Sequence, residues 1–424
     1  MGPDVIVLAW PEAALSMMTR RAADPTTPWL HFREAGNAPA GLLGSRGVVG
    51  GGNPGVLVGM GASCAQPAAQ PLVSVTVVTH NSRRYIDRCL EAVFRQSYAR
   101  LEVIILDNAS TDGTAERLAR YGTRARILLN SRNSGFAAGQ NQAIAASSGD
   151  WVLTLNPDAR LAPDFIERLV AVGAAHGEAG SLCGKLLRAR SDLSAPAIRT
   201  IDSTGIYFTP NMRHFDRGWN EPDDGRYGAM EYVFGASAAA ALYRRETIEG
   251  VSLGGGFFAP DFFAYREDAD VAWRAQLMGW RCIYVPDAVG YHVRRVVPEY
   301  RRQTPAVLRM HSVKNRFLMR IHNATGGVWL RLWIPVALRD LLVVAGCVLI
   351  EPRSLPAFAR LAACLPRALA NRRDVMSRRI ASDDYILEWF QDLPASRPLD
   401  VRSPNRAPHA PGIGLRAHAA AAPD

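Results

Sequence analysis

Three groups of side chains in this sequence have the types and placing that chemistry requires. The first is Asn156-Pro157-Asp158, which follows the apolar run Trp151–Leu155. A proline there ends the strand, so the chain delivers a carboxylate just past the strand's carboxyl end, where open α/β sheets bind ligands. Asp158 is therefore a candidate ligand for a metal or a phosphate; a turn aspartate capping the next helix is the competing reading. The second group is Glu267, Asp268 and Asp270, at the start of a helix expected over residues 262–280. The helix dipole favours carboxylates in a first turn, so capping is their plain reading. The third is His292, a lone histidine at the end of the strand-like stretch 288–292.

The elements around these groups decide between the readings. Val73–Thr79 is a β-branched run of strand length. Ser82 is placed to cap a helix in which Tyr85, Ile86, Cys89, Leu90, Val93 and Phe94 recur at helical spacing. Strands over 101–106, 126–129 and Trp151–Leu155 alternate with a short helix after 113 and an Ala-rich helix over 136–147. That alternation predicts βαβ units and a parallel sheet with right-handed crossovers. The loops 79–81, 107–113, 130–135 and 156–158 then fall on one edge of the sheet, and polar residues far apart in sequence gather at one cleft.

Beyond the first four strands the pattern changes. Residues 184–234 break into short apolar pieces between turns, which predicts a mixed or antiparallel lobe. Residues 232–237 read as a strand into a small-residue turn, where backbone can approach a ligand. Strands are expected over 281–285 and 288–292, and a helix over 305–321. The apolar stretch 328–350 contains Arg331, Arg339 and Asp340. Its longest uncharged run, 341–350, is about half the ~20 residues that a bilayer requires, so it is not read as transmembrane. An interfacial helix pair on anionic lipid and packing onto the preceding domain are the two readings.

Composition sets the outer limits. The chain has 424 residues, 48% hydrophobic and 21% charged, enough for a large core in two or three units. Six scattered cysteines with no CxxC pair read as reduced thiols in a cytosolic protein. The net charge of +10 is concentrated between Arg294 and Arg379, where 17 Arg or Lys face 4 acids. Such a segment suits anionic lipid, and nucleic acid is not expected as a partner. Residues 1–70 read as disordered or low-complexity, with Met60 an alternative start. The match of Gly50–Gly55 to GxGxxG is rejected, because no strand leads into it and Pro54 sits inside it. The expected organisation is 1–70, an α/β domain over 71–300, a basic helical region over 301–395, and a disordered tail over 396–424.

The ordered motifs SVTVVTHNS, LDNASTDGT, NSGFAAGQN, LNPDA, FFAYREDADVAWRAQLMGW and VPDAVGYH resemble the successive signatures of family 2 glycosyltransferases. More narrowly, they resemble the rhamnosyltransferase-like branch that builds bacterial cell-surface polysaccharide. The resemblance covers about 72–323 and is specific for the family, not for the sugar. It implies a GT-A-type fold: a Rossmann-like mixed sheet sandwiched by helices, here followed by C-terminal amphipathic helices. It also implies roles. Thr79, Asn81 and Asp107 would hold the base and ribose of a nucleoside-diphosphate sugar. Asn133, Gly135 and Asn141 would line the donor cleft, although Asn141 reads equally as a polar residue on an Ala-rich helix. Asn156 and Asp158 stand where the family places its DxD motif, with a divalent cation, Mg2+ or Mn2+, bridging the diphosphate. His292 would complete the metal shell, and Glu267-Asp268 would supply the catalytic base, with Asp268 preferred. Because diphosphate brings its own oxygens, Asn156 in place of an aspartate need not abolish cation binding.

That resemblance implies a metal-dependent inverting transferase at the cytoplasmic membrane face. Its acceptor would be lipid-linked or a polysaccharide, and its donor dTDP-rhamnose. One departure stands out: residues 257–261, FFAPD, lack two acids usual for the family. The alternatives are a nucleotide-sugar-binding homologue without catalysis and a sugar nucleotidyltransferase. The second should show a glycine-rich basic loop after the first strand, where this chain has THNSRRY. A processive synthase is disfavoured by the absence of a QxxRW-like stretch.

Overall fold

A computed structural model describes residues 70–294, 304–394 and 396–399. The expected N-terminal segment before 70 and the tail beyond 399 lie outside the described residues. The first half assembles as its periodicity predicts. β1 (Val73–Thr79) is buried along its whole length, as a β-branched run in a sheet covered on both faces should be. It pairs in parallel with β2 (Leu101–Asn108) on one side and β4 (Trp151–Leu155) on the other, and β3 (Arg126–Asn130) continues the parallel set beyond β2. The crossovers are α1 (Ile86–Val93), α2 (Thr114–Ala119) and α3 (Phe136–Ala145). α1 turns Ile86, Cys89, Leu90 and Val93 into the core, the stripe that their spacing requires.

Ser82 does not cap α1 with its side chain. Its amide is taken by Thr114 Oγ1 at 2.9 Å and its hydroxyl donates to the His80 carbonyl at 3.4 Å. Only its carbonyl starts the helix, accepting from Tyr85 N at 2.9 Å and Ile86 N at 3.1 Å. The first two strand-end loops are thereby tied to each other.

The second half is mixed. β5 (Ala159–Leu161), α4 (Phe165–Ala175), β6 (Ala179–Arg188) and β7 (Ile201–Ser203) lead to the hairpin of β8 (Ile206–Phe208) and β9 (His214–Asp216). Then come β10 (Glu231–Val233), β11 (Ala240–Arg244), α5 (Arg245–Val251), α6 (Glu267–Leu277) and β12 (Arg281–His292). The chain closes with helices α7 (Ala306–Asn323), α8 (Gly326–Leu349), α9 (Pro356–Arg378) and α10 (Asp383–Leu387), and the two-residue strand β13 (Arg397–Pro398). The main sheet runs β13-β10-β12-β6-β11-β4-β1-β2-β3. β11 is antiparallel to β4 and β6, and β12 is parallel to β6. The helix-sandwiched mixed sheet expected from the sequence is the one found.

Two boundaries differ from expectation. Strands 281–285 and 288–292 are one strand, β12, whose register on β6 jumps between Val285 and Val289. Pro286 has no N–H to give the ladder, so the strand bulges there instead of ending. Arg397 and Pro398, placed in the tail by the sequence, pair with Tyr232 and Glu231 on β10. Phe390, just before them, meets Phe208 at 5.2 Å and Trp273 at 5.0 Å between ring centroids, so the end of the described chain completes the core.

The helical region is fixed to the sheet domain by buried charge. Asp270 on α6 is fully buried and accepts from Arg274 Nε at 3.0 Å, His322 Nδ1 at 3.0 Å and Asn323 Nδ2 at 2.8 Å. Burial raises its proton affinity, but Arg274 and His322 outweigh that and hold the carboxyl below its ordinary range. Arg372 on α9 donates to the Ile321 and Ala324 carbonyls at 3.1 and 2.6 Å, and Arg378 to those of Gly250 and Ser252 at 2.7 and 3.0 Å.

α8 differs from its neighbours. It is 24 residues long, an 18-residue window of it has a mean hydropathy of 2.0, and by length and composition it could cross a membrane. Two of its charges are paired: Asp340 with the buried Arg320 at 2.8 Å, and the exposed Arg331 with the exposed Asp384. Leu330 (76% exposed), Leu341 (67%) and Leu349 (79%) stand outward with Trp333, Ile334 and Leu338.

Asp270→Ala leaves the Arg274 guanidinium buried without its carboxylate. It should lower unfolding free energy by about 3–5 kcal/mol, measured as a denaturant midpoint at constant m-value.

Candidate active site

β5 and β12 bring the first chemical group together. Their antiparallel register sets His292 opposite Ala159, so the histidine lies beside Asp158 although 134 positions separate them in sequence. His292 Nε2 is 3.5 Å from Asp158 Oδ1 and 3.4 Å from Asn156 Nδ2. Its other nitrogen, Nδ1, is 2.8 Å from Oδ2 of Asp202, which is fully buried in β7. Asp202 also receives Arg294 Nε at 2.6 Å, and Arg294 reaches Asp216 on β9 at 2.6 Å. The result is a chain of alternating charge: Asp158, His292, Asp202, Arg294, Asp216.

Burial works against charge on His292, but Asp202 and Asp158 more than offset it and push the ring's pKa up to about 10. Burial likewise raises Asp202, and His292 with Arg294 overcomes it, holding that carboxyl far below the usual range. The Asp158 end of this chain thus favours positive charge between a carboxylate oxygen and an imidazole nitrogen.

The second group lies one backbone step away. Asn156 N donates to the Ala239 carbonyl at 2.9 Å, and the neighbouring Ala238 N donates to Asp268 Oδ2 at 3.3 Å. Asp268 Oδ1 accepts from Ala269 N at 2.8 Å. Asp268 is partly exposed, whereas Glu267 is buried with Oε2 lacking a hydrogen-bond partner among the described residues. Burial, and then the neighbouring Asp268, push Glu267 up; burial, and then Asp216, push Asp268 up.

The loop leading into α6 is strained. Phe263, Tyr265 and Arg266 have φ of 65°, 72° and 72°, a conformation costly for residues with a Cβ. Asn315 on α7 opposes the strain: its Nδ2 lies 2.8, 2.9 and 2.8 Å from the carbonyls of Phe262, Ala264 and Tyr265. On the other side Gly135, at φ 85°, lets Phe263 close on the start of α3, where a Cβ would meet Phe263 Cδ2 at 2.5 Å.

Residues 74–248 match the family model described as glycosyl transferase family 2. The chain carries a family 2 glycosyltransferase domain. A Mycobacterium tuberculosis protein named N-acetylglucosaminyl-diphospho-decaprenol L-rhamnosyltransferase is 26% identical over 243 residues, covering 52% of this chain and 76% of its own. Among solved structures, GalNAc-T7 with UDP, GalNAc and Mn2+ has a TM-score of 0.48 at 14% identity. That match covers 60% of this chain and 48%, about half, of the other. The mannosyltransferase PcManGT from Pyrobaculum calidifontis, in complex with GDP-Man and Mn2+, has a TM-score of 0.43 at 21% identity, over 76% and 83% of the two chains.

In this glycosyltransferase the remaining expected site residues fall into two sets. Thr79 and Asp107 lie at the ends of β1 and β2, and Asn81, Asn133 and Gly135 on the strand-end loops, with many of their polar groups spent internally. Asp107 accepts from Thr79 Oγ1 at 2.7 Å and from Ser110 N and Oγ at 2.9 and 2.6 Å. Asn81 Oδ1 accepts from Thr111 N at 2.8 Å and Asn133 Oδ1 from Gly135 N at 2.8 Å. Asn141 forms the other set, its amide spent on a distant segment. Its Nδ2 donates to the carbonyls of Phe258 and Gly255 at 2.7 and 3.1 Å, and its Oδ1 accepts from Phe258 N at 2.9 Å. It anchors the FFAPD segment.

Sequence reasoning missed Asp202, Asp216 and Asn315. Asp202 stands in Asp202-Ser203-Thr204-Gly205, which spells a turn; the structure makes residues 201–203 a buried strand. The signal that could have found it is a carboxylate beside β-branched Ile201.

Asn315→Ala removes the donor that three loop carbonyls share. Unfolding free energy should fall by about 1–3 kcal/mol, with new proteolytic cleavage within 260–266. An unchanged midpoint and digestion pattern would mean that the loop holds its own conformation.

Proposed function

We propose that this glycosyltransferase moves a sugar, rhamnose being the expected one, from a nucleoside diphosphate to a hydroxyl of a lipid-linked or polysaccharide acceptor. We place the reaction in cell-envelope synthesis at the cytoplasmic face of the membrane. The observation that carries the reading is the pairing of Asp158 with His292 across a two-residue backbone link from Asp268. The relative named for transfer of L-rhamnose to a diphospho-decaprenol acceptor supports the donor and acceptor classes.

The donor set at Asp158 fits a divalent cation. A carboxylate oxygen and an imidazole nitrogen converge, and Asp202 fixes the ring through its other nitrogen, which is how metal-binding histidines are commonly oriented. Among the described residues no cluster of three or more His, Cys, Asp and Glu forms a closed cage, so the diphosphate would bring the remaining oxygens. Asp158 and His292 would hold Mg2+ or Mn2+, whose chemistry when bound is neutralisation of the charge on the departing nucleoside diphosphate.

Asp268 acts on the other side of the sugar. It accepts the proton of the acceptor hydroxyl as that oxygen bonds to the anomeric carbon. The bond from that carbon to the diphosphate oxygen breaks, and the configuration inverts. Its partial exposure makes Asp268 the base in preference to buried Glu267. The apolar outward face of α8 and the basic charge around it suit an anionic membrane surface.

Two measurements test this. Asp268→Asn should lower transfer about 10²–10⁴-fold while donor binding persists; chelation should abolish transfer and Mg2+ or Mn2+ restore it. Because the folded carboxyl is raised, the base is protonated at low pH. The acid limb of kcat/KM should therefore lie above the ordinary aspartate value of about 3.9; unchanged turnover in Asp268→Asn rejects the assignment. Separately, replacing Leu330, Leu341 and Leu349 by Glu should abolish flotation with phosphatidylglycerol vesicles.

A further inference from the structure

A pair of hydrogen-bond donors lies beside the Asp158 end of the site, and the proposed transfer does not use it. β6 is antiparallel to β11, and β11 to β4, so β6 and β4 run the same way. β12 is parallel to β6 with His292 opposite Arg188, and Ala189 N donates to the His292 carbonyl at 2.9 Å. Arg188 therefore ends its strand on the edge that holds Asp158 and His292, where open sheets of this kind bind ligands. Its Cζ lies 5.5 Å from the centroid of the Trp219 ring. Trp219 is tied to the same edge: its N donates to the Asp216 carbonyl at 3.3 Å, and the Asp216 carboxylate holds Arg294, two residues past His292, at 2.6 Å.

Arg188 Nε and Trp219 Nε1 are both shielded from solvent, and neither has a hydrogen-bond partner among the described residues. The Arg188 guanidinium forms no ion pair among them either. The carboxylates of the segment around Trp219 are engaged elsewhere: Glu221 with Arg226 at 2.6 Å, Asp223 with Lys185 and Arg199 at 2.8 and 3.0 Å, and Asp224 with Arg226 at 3.2 Å. Buried donors are normally paired. Guanidinium and indole offer N–H groups and no acceptor, so the partner they lack is an oxygen-rich group, and the charge on Arg188 favours an anion. Both residues are partly exposed, so a ligand arriving from solvent can reach them.

We infer that Arg188 and Trp219 seat a phosphate of a substrate diphosphate beside the Asp158–His292 pair. A guanidinium presents phosphate oxygens with a fork of parallel N–H groups, and the indole N–H adds one donor in a fixed direction. The nucleoside diphosphate of the sugar donor and the diphosphate of a lipid-linked acceptor share this chemistry. The assignment rests on the transfer reading above and goes beyond it by naming two residues, outside the expected site, that bind substrate.

The test is calorimetric titration of the full chain with inorganic pyrophosphate in the presence of Mg2+. Wild type should bind it, and Arg188→Gln should weaken binding about tenfold or more. Arg188→Lys should recover part of that loss, because it returns the charge without the fork. Trp219→Phe keeps a ring and removes the N–H, so it should weaken binding about threefold; it also guards against misfolding of the arginine variants. No binding by the wild type, or wild-type affinity in both Arg188→Gln and Trp219→Phe, overturns the assignment. Displacement of pyrophosphate by UDP or dTDP gives the seat to the sugar donor, and displacement by farnesyl diphosphate gives it to the acceptor. Displacement by none of them overturns it. Asp158→Asn, titrated in parallel, reads the cation site, and no arm needs turnover. Failure of the transfer reading and failure of this assignment are therefore distinguishable.

Discussion

The contact between Asp202 and His292 underlies the arrangement of the Asp158 end of the candidate site. A fully buried carboxylate is tolerated only when it is paired and hydrogen-bonded, and His292 and Arg294 do both. In return, Asp202 fixes which imidazole nitrogen faces Asp158. β7 pairs with β6 through only a few residues, and besides Asp202 it gives the core one fully buried side chain, Ile201. The short strand positions a charge, and that charge orients the imidazole.

The Glu267-Asp268 end follows a different logic. Instead of a buried ion pair, it uses backbone held in an unfavourable conformation from two sides. Gly135 admits Phe263 from below, and Asn315 gathers carbonyls from α7. A helix from the C-terminal region thereby contributes to the geometry of a carboxylate near the sheet edge. Asp270 reinforces the link, since its partners His322 and Asn323 end the same helix. Of the C-terminal helices, α7 is in this sense part of the frame that holds Glu267 and Asp268.

Much of this was legible in the residues. β-branched runs and helical stripes located the parallel strands, and turn residues marked the loops that converge on one edge. Asp158, Asp268 and His292 stood out by type and order. The rest depended on contacts between distant segments. Asp202 lies 90 positions from His292, and its tetrapeptide has the composition of a turn. Asn141 satisfied its amide on a segment more than a hundred residues away, which local spacing cannot reveal. Ser82 had the right type for a cap, but its hydroxyl turns back to the His80 carbonyl. Arg188 looked like one more arginine in a basic chain until its place beside His292 was known.

The pairing of β13 also bears on how the molecule behaves in company. A sheet of this width ends in strands whose unpaired groups invite a neighbour to add on. Here the border beside β10 is a strand of two residues, one of them Pro398, which has no amide hydrogen to offer. That rim is blunted against templated stacking of chains. Copies of the chain at high local density can therefore crowd side by side without their sheets joining along that rim.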